Sequence, residues 1–488
     1  MYNILSWEEM CSLFHFCKMY FFSLHFYVLF FSIYHLLLVL IITCSITACS
    51  KFTDVNLPSS QLSTGAVFED KATANAAITD IYAKIRETGL LSGRNTGLSV
   101  QLGLYADELQ YYGLPTTGQA NFYNNSLTAL GSEITTLWTS SYNQIYAANA
   151  LVEGISKSST LQAVDKQQYM GEALFVRALL HFYLVNSFGP IPYIKTTNYQ
   201  QNKVANRMPE AEVYALIKSD LEQSITLLPA QYNGAERVRP NKGAAQAMLA
   251  RVCLYMKKWD EASNAASAIL DQSSLYKWPT DLHTVFVKES PSTIWQLTPA
   301  TTTENTYEAK SFIFIQGPPP SVAISSSLLG AFTDNDLRRD RWINKVTTGT
   351  SSWYHANKYK ERLATTASKE YSIVLRTAEQ YLIRAESRAH HGNLTGAKED
   401  LNKVRNLAGL ANSSASTVDE IIDAVLQERR LELFTEFGHR FFDLKRTGKL
   451  NIVLSPLKPQ WGIADQFLPI PESELLLNPN LKPQNAGY

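Results

Sequence analysis

The sequence predicts a mainly α-helical protein, in which helical hairpins form the scaffold and a loop-rich insert interrupts them. Three observations support this prediction. Apolar residues recur at three- and four-residue steps through most of the chain after residue 65. Two separate stretches share the pattern of two helices joined by a short polar turn. Between them, residues 271–370 carry clusters of Pro, Gly, Thr and Ser, which are typical of turns and loops.

The first fifty residues contain a long apolar stretch that ends at a cysteine. Residues 20–48 carry no formal charge, and the tripeptide Ile-Thr-Ala precedes Cys49. This pattern resembles the cleavage box of a bacterial lipoprotein. The resemblance implies a signal segment over residues 1–48, whose true start lies later than Met1, and a lipid on the thiol of Cys49 that anchors the protein. An uncleaved membrane-spanning helix is the alternative.

Helical periodicity then dominates residues 65–270. Ile78, Ile81 and Ile85 lie on one apolar stripe, and Gly89 suits the end of that helix. Three further helices are predicted by the same periodicity in "EITTLWTSSYNQIYAANALVEGI", "KQQYMGEALFVRALLHFYLVNSF" and "AEVYALIKSDLEQSITLLP".

Two stretches resemble each other and indicate paired helices. In "AMLARVCLYMKKWDEASNAASAIL", Ala250 precedes Ala262 by the same spacing that separates Ala385 from Ala397 in "QYLIRAESRAHHGNLTGAKEDLNKV". Small residues at matched positions allow two helices of a hairpin to approach closely. The pattern resembles degenerate tetratricopeptide repeats, which stack into a curved scaffold with a binding face. The scaffold is therefore expected over 65–270 and 371–450.

The insert at residues 271–370 differs from the helical segments in residue composition. Short β-prone runs, "STIWQL" and "SFIFI", interrupt loop-forming residues and predict a few small strands. Long loops on a rigid scaffold are common places for binding surfaces.

Seven segments follow one another along the chain: Ala106-Asp107-Glu108; Trp138, Tyr142, Ile145 and Asn149; "GEALFVRALLHFYLVNSFGPIPY"; "RPNKGAAQAMLARVCLYMKKWDEA"; "LRTAEQYLIRAES"; "ERRLELFTEFGHRFFDLKRTG"; and "LPIPESELLLNPNLKPQNAGY". In this order they resemble the SusD/RagB family of outer-membrane lipoproteins of Bacteroidota. The resemblance covers residues 49–488 and implies a single SusD-like domain.

The resemblance also implies a function. Family members cap a SusC-like TonB-dependent β-barrel transporter, capture an oligosaccharide and deliver it to the barrel. They bind without catalysis and need no cofactor. The expected location is the outer membrane, lipid-anchored and facing the cell surface. Peptide binding on the same architecture, or a repeat scaffold without a transport role, remain alternatives.

Candidate ligand-binding residues are chosen from the local residue composition, because no family motif specifies them. Flat aromatic rings stack on the apolar face of a sugar, and amides pair with its hydroxyl groups. The loop "YYGLPTTGQANFYNN" and two later loops supply such side chains, namely Tyr111, Tyr112, Tyr123, Asn124, Tyr307 and Trp353. Trp353 is the preferred stacking platform, because it lies among loop-forming residues, whereas Trp138 and Trp295 are expected in the core.

Several function classes are disfavoured by composition and motif. Lys plus Arg equals Asp plus Glu, 44 each, which argues against a nucleic-acid partner. No spacing typical of a metal site, nucleophile elbow or phosphate loop occurs. A glycosidase would have to use Asp107, Glu108 or the carboxylates of residues 428–443. The neighbouring arginines instead predict a structural ion-pair network there.

Overall fold

The computed structural model describes residues 66–488, together with Phe31 and Leu36. Apart from Phe31 and Leu36, the predicted signal segment lies outside the described residues, and so does Cys49. The chain divides into two units, Met1–Ser63 and Thr64–Tyr488, and the elements below all belong to the second. No helix in the described part of the chain is long and apolar enough to cross a membrane. The boundary between scaffold and insert stays a prediction.

Helices account for most of the regular structure, which confirms the predicted mainly α-helical fold. In chain order they are α1 Lys71–Glu87, α2 Leu98–Tyr105, α3 Gly118–Asn124, α4 Ser132–Lys157, α5 Ala163–Phe188, α6 Tyr199–Asn202, α7 Glu210–Leu227, α8 Lys242–Tyr255, α9 Trp259–Leu270, α10 Tyr307–Phe312, α11 Ser326–Leu329, α12 Leu337–Trp342, α13 Thr377–His390, α14 Leu394–Leu407, α15 Val418–Glu432, α16 His439–Arg446, α17 Leu450–Leu454 and α18 Glu472–Leu477.

Helix α1 shows how local sequence sets an element. The Asp70 carboxylate accepts hydrogen bonds from the backbone N–H groups of Ala72 and Thr73, which caps the helix N-terminus. The predicted apolar stripe is buried. The chain turns at Gly89, whose φ of +90° is a conformation that favours glycine.

The two predicted helical hairpins are present. Helix α8 pairs with α9, α13 pairs with α14, and α9 packs on α13. Ala250, Ala262, Ala385 and Ala397 are completely buried. Small side chains therefore lie where the helices approach, as the repeat pattern predicts.

A buried polar network joins α4, α5 and α7. The Arg177 guanidinium donates to both carboxylate oxygens of Asp220, at 2.6 and 2.7 Å, and to Oδ1 of Asn149 at 2.8 Å. Because each buried charge has a partner, the network ties three helices without an orphaned ion.

Six strands form three separate two-stranded antiparallel sheets within the described residues. The strands are β1 Leu109–Tyr111, β2 Thr293–Leu297, β3 Val322–Ile324, β4 Ile343–Thr348, β5 Ser351–Ala356 and β6 Ser372–Arg376. Strand β1 pairs with β3, β2 with β6, and β4 with β5. Five of the six strands, β2 to β6, lie within residues 293–376, in or next to the predicted loop-rich region.

One predicted strand is wrong. "STIWQL" contains β2, but "SFIFI" begins inside helix α10, which runs to Phe312. The Thr306 hydroxyl caps that helix by accepting a hydrogen bond from the Ala309 N–H. The capped helix includes Ser311 and Phe312 of this run. The next strand, β3, begins at Val322.

Candidate functional site

Tyr112 and Trp353, far apart in sequence, meet on one surface. Strand β1 pairs with β3, and the ladder extends to Tyr112, whose N–H donates to the Ser321 carbonyl at 2.7 Å. Strand β5 carries Trp353 and packs against β3. The Tyr112 side chain is 36% exposed. Burial raises the pKa of Tyr112, while an interaction with the Trp353 side chain partly opposes this rise.

Trp353 is held in position from below. It lies opposite Val346 in the β4–β5 hairpin and packs on a small cluster that also contains Phe314 and Ala323. It is half-buried on a strand, whereas the sequence predicted a polar loop. The pattern "TTGTSSW" marks the hairpin turn at Gly349, and the strand begins directly after it.

Gly317 packs directly against the Trp353 ring. A Cβ at position 317 would lie 2.2 Å from Cζ3 of the indole, so the loop can reach the ring only with glycine there. The Gly317 N–H also donates to Oγ1 of Thr348 at 2.9 Å. Backbone and hairpin together therefore fix the orientation of the indole before any ligand arrives.

Tyr111 and Tyr123 support this surface more than they form it. Both are partly buried, and their ring centroids lie 6.4 Å apart. The Tyr111 hydroxyl donates to the Leu114 carbonyl at 3.0 Å, and the Lys458 ammonium lies 4.2 Å from the Tyr123 ring centroid. Asn124, the last residue of α3, is exposed.

Two exposed apolar residues that the sequence analysis missed lie close in sequence to these rings. Leu114 is 71% exposed and follows Tyr112, and Ile315 is 75% exposed and precedes Gly317. Each is an aliphatic residue within a Gly- and Pro-rich stretch, and this pattern could have identified them from the sequence. We call Tyr112 and Trp353, together with the sequence neighbours Leu114 and Ile315, the Tyr112–Trp353 surface.

Tyr307 lies elsewhere, in a charged environment. Its hydroxyl donates to Oε2 of Glu87 at 2.7 Å, and the guanidinium carbon of Arg94 lies 3.9 Å from its ring centroid. Burial alone would raise the pKa of Glu87, but hydrogen bonds from Arg94 and Tyr307 lower it to about 2. Arg94 covers one face of the Tyr307 ring, so that face is not available for stacking on a ligand. An open depression of about 670 Å³ lies beside it.

The carboxylates of the charged segment form the predicted ion-pair network. Arg338 pairs with Glu428 at 2.6 Å and with Glu432 at 3.0 Å. Arg376 pairs with Glu432 at 2.5 Å and with Glu436 at 2.8 Å. Burial acts to raise the pKa values of Glu432 and Glu436, but the charge of Arg376 holds both below their usual range. Glu432 and Glu436 are therefore ionised, which is unsuitable for a general acid. Burial raises the pKa of Glu428, but its side chain is enclosed by protein.

Asp107 and Glu108 are also buried, at 4% and 2% exposure. Arg430 and Arg440 bind Asp107 at 2.7 and 2.8 Å. Burial, and then the charge of Asp107, raises the pKa of Glu108 to about 7. Neither carboxylate is exposed enough to contact a ligand at the surface. The described residues contain no group of three or more His, Cys, Asp or Glu side chains placed to hold a metal ion.

Two family models match the chain. Residues 104–254 match a SusD-like family described as starch-binding and associating with the outer membrane, and residues 332–454 match the SusD family. Among curated relatives, SusD-like protein P2 of Formosa agariphila is 27% identical, over 92% of this chain and 98% of that protein.

Solved structures agree in fold. A laminarin-binding SusD-like protein superposes with a TM-score of 0.72 at 23% identity, over 86% of this chain and all of the other. Surface glycan-binding protein A from Bacteroides uniformis gives a TM-score of 0.73 at 21% identity, with the same coverage.

Proposed function

The chain belongs to the SusD/RagB family, and from that premise we propose that it captures an oligosaccharide and delivers it to a SusC-like TonB-dependent transporter in the outer membrane. The observation that carries the proposal is the Tyr112–Trp353 surface. Two aromatic side chains meet there on preformed backbone, and Leu114 and Ile315, which are close to this site in sequence, are exposed. Rings of this kind stack on the apolar faces of pyranoses.

Two solved structures support glycans as the ligand class. One of them is described as laminarin-binding and the other as a surface glycan-binding protein. Members of the family associate with the outer membrane. Attachment through Cys49, orientation toward the cell surface and a partner barrel are parts of the same proposal.

We also propose that the chain binds without catalysis. Glycoside hydrolysis requires two carboxyl groups that flank the scissile bond, one of them able to act as an acid. Glu428, Glu432 and Glu436 are enclosed by arginines, and Asp107 is paired with two more. Glu108 has a suitable pKa but is 2% exposed.

The experiment that tests this proposal measures polysaccharide binding by the full chain in mild detergent, by affinity electrophoresis and calorimetry. We expect Trp353→Ala to weaken binding about tenfold or more, equivalent to about 1.4 kcal/mol, because the stacking surface is lost. Trp353→Phe retains a flat ring and should keep most of the affinity. Tyr112→Ala should weaken binding in the same direction.

The matched control is Tyr146→Ala, which removes a tyrosine that is 53% exposed on α4. Its affinity should equal that of the wild type, and melting temperatures should show that all variants fold. If Trp353→Ala binds normally, the ligand site lies elsewhere. If no glycan binds, peptides become the leading ligand class. Recovery of a β-barrel transporter with the tagged chain from native membranes would test the delivery step.

A further inference from the structure

Several segments of the chain lack charge, and three of them lie around Tyr112 and Trp353. Residues 109–132, 311–333 and 346–357 contain no Asp, Glu, Lys or Arg, although 18% of all residues are charged. These segments combine short strands and helices with loops, and most of their residues are exposed or partly exposed. Loops usually carry charge because their side chains face water.

The fold brings these three segments together at the Tyr112–Trp353 surface. The first contains β1 and the second contains β3, and these strands pair from Leu109 opposite Ile324 to Tyr111 opposite Val322. The third contains Trp353, whose ring packs on Gly317 of the second. The Gly317 N–H donates to Thr348 of the third segment. These three uncharged segments therefore lie side by side at the Tyr112–Trp353 surface.

Charged residues near these three segments either face away from the Tyr112–Trp353 surface or are already bonded to other protein groups. Lys345 pairs with Tyr354 in the hairpin, on the opposite face from Trp353. The Lys458 ammonium is bonded to the carbonyl groups of Leu104 and Tyr123. Oε1 of Glu133 accepts from the Asn121 side chain at 3.0 Å. None of these groups offers an unpaired cation to a ligand at the surface.

We propose that the ligand of this surface is an uncharged polysaccharide. A sulfate or uronate group loses hydration when it docks, and this loss is offset only where a cation or several strong donors replace the water. The surface offers aromatic rings, aliphatic side chains, hydroxyl groups and amides, which match the apolar faces and hydroxyl groups of a neutral sugar. This inference rests on the proposed function and narrows its substrate class.

The test compares two panels of polysaccharides with the full chain in mild detergent. Laminarin, amylose, galactomannan and xyloglucan are neutral, whereas alginate, polygalacturonate and carrageenan are anionic. We expect at least one neutral polymer to bind, with affinity that falls tenfold or more in Trp353→Ala and is unchanged in Tyr146→Ala. Between 50 and 500 mM NaCl that affinity should change less than about twofold, because no ion pair is formed.

Two other results would overturn the inference in distinguishable ways. Binding of anionic polymers alone, lost in Trp353→Ala and weakened by salt, would refute the neutral class and leave glycan capture at this site intact. Failure of every polymer in both panels, with the chain folded, would refute the proposed function and the inference with it.

Discussion

Glu108 is a buried carboxyl group without a charged partner in direct contact. Its Oε2 accepts one long hydrogen bond, 3.3 Å from the Thr435 backbone nitrogen, and its Oε1 has no hydrogen-bond partner among the described residues. Its neighbour Asp107 holds both nearby guanidinium groups. Burial and the Asp107 charge therefore raise the pKa of Glu108 from 4.5 to about 7.

A raised carboxyl pKa makes the free energy of unfolding depend on pH. Below about pH 4.5 the carboxyl group is protonated in both the folded and the unfolded state, so its titration does not change the free energy of unfolding. Between pH 4.5 and 7 the unfolded group ionises while the folded one keeps its proton, so stability falls as pH rises. Glu108→Gln removes this penalty. We expect the variant to be more stable than the wild type at pH 8, by up to about 3 kcal/mol, and similar at pH 4.5.

Thermal unfolding at both pH values checks this expectation. Glu212→Gln, an exposed glutamate on α7, is the control and should match the wild type at each pH. A Glu108→Gln variant that is equally stabilised at pH 4.5 and pH 8 would contradict a titration origin.

The candidate rings were predictable from local sequence, but their arrangement was not. Loop texture singled out Tyr112 and Trp353 along with Tyr307. Pairing between β1 and β3, and the contact of Gly317 with Trp353, are long-range, so no local pattern reveals which rings meet. The guanidinium of Arg94 above Tyr307 is equally invisible in the sequence.

At the scale of elements, the helices followed from periodicity because their apolar stripes are long and regular. The boundaries of α1 and the pairing of α8 with α9 match the pattern. Short elements depended on a single side chain instead. The Thr306 cap made "SFIFI" begin in a helix, an outcome that five residues of hydrophobic pattern do not determine.

The alanine contacts between hairpins can be tested by enlargement. Ala385 on α13 is completely buried. We expect Ala385→Leu to lower the free energy of unfolding by about 1–3 kcal/mol, because the added carbons force the packed helices apart. Denaturant unfolding measures the difference. Ala76→Leu makes the same change at an exposed position of α1 and should be nearly neutral; an equal loss in both variants would contradict the packing explanation.

For the whole molecule, the proposed lipid anchor predicts where the protein resides. Cells given radiolabelled palmitate should label the wild type and the Cys44→Ser control, and both should fractionate with the outer membrane. Cys49→Ser should carry no label and leave that fraction, because each buried methylene of an acyl chain contributes about 0.8 kcal/mol to anchoring. A labelled Cys49→Ser protein would place the lipid elsewhere, and an unlabelled wild type retained in the membrane would favour an uncleaved anchor.

The Tyr112–Trp353 surface stands on short two-stranded ladders and loop backbone, whereas the buried ion pairs and the alanine contacts lie largely among the helices. On the proposed function, selection can therefore act on ligand recognition and on folding almost separately. A duplicated gene can encode a protein with a new ligand after a few substitutions in these three segments, while the helices that stabilise the fold remain unchanged. Divergent relatives should accordingly differ most in these loops and least in the paired helices.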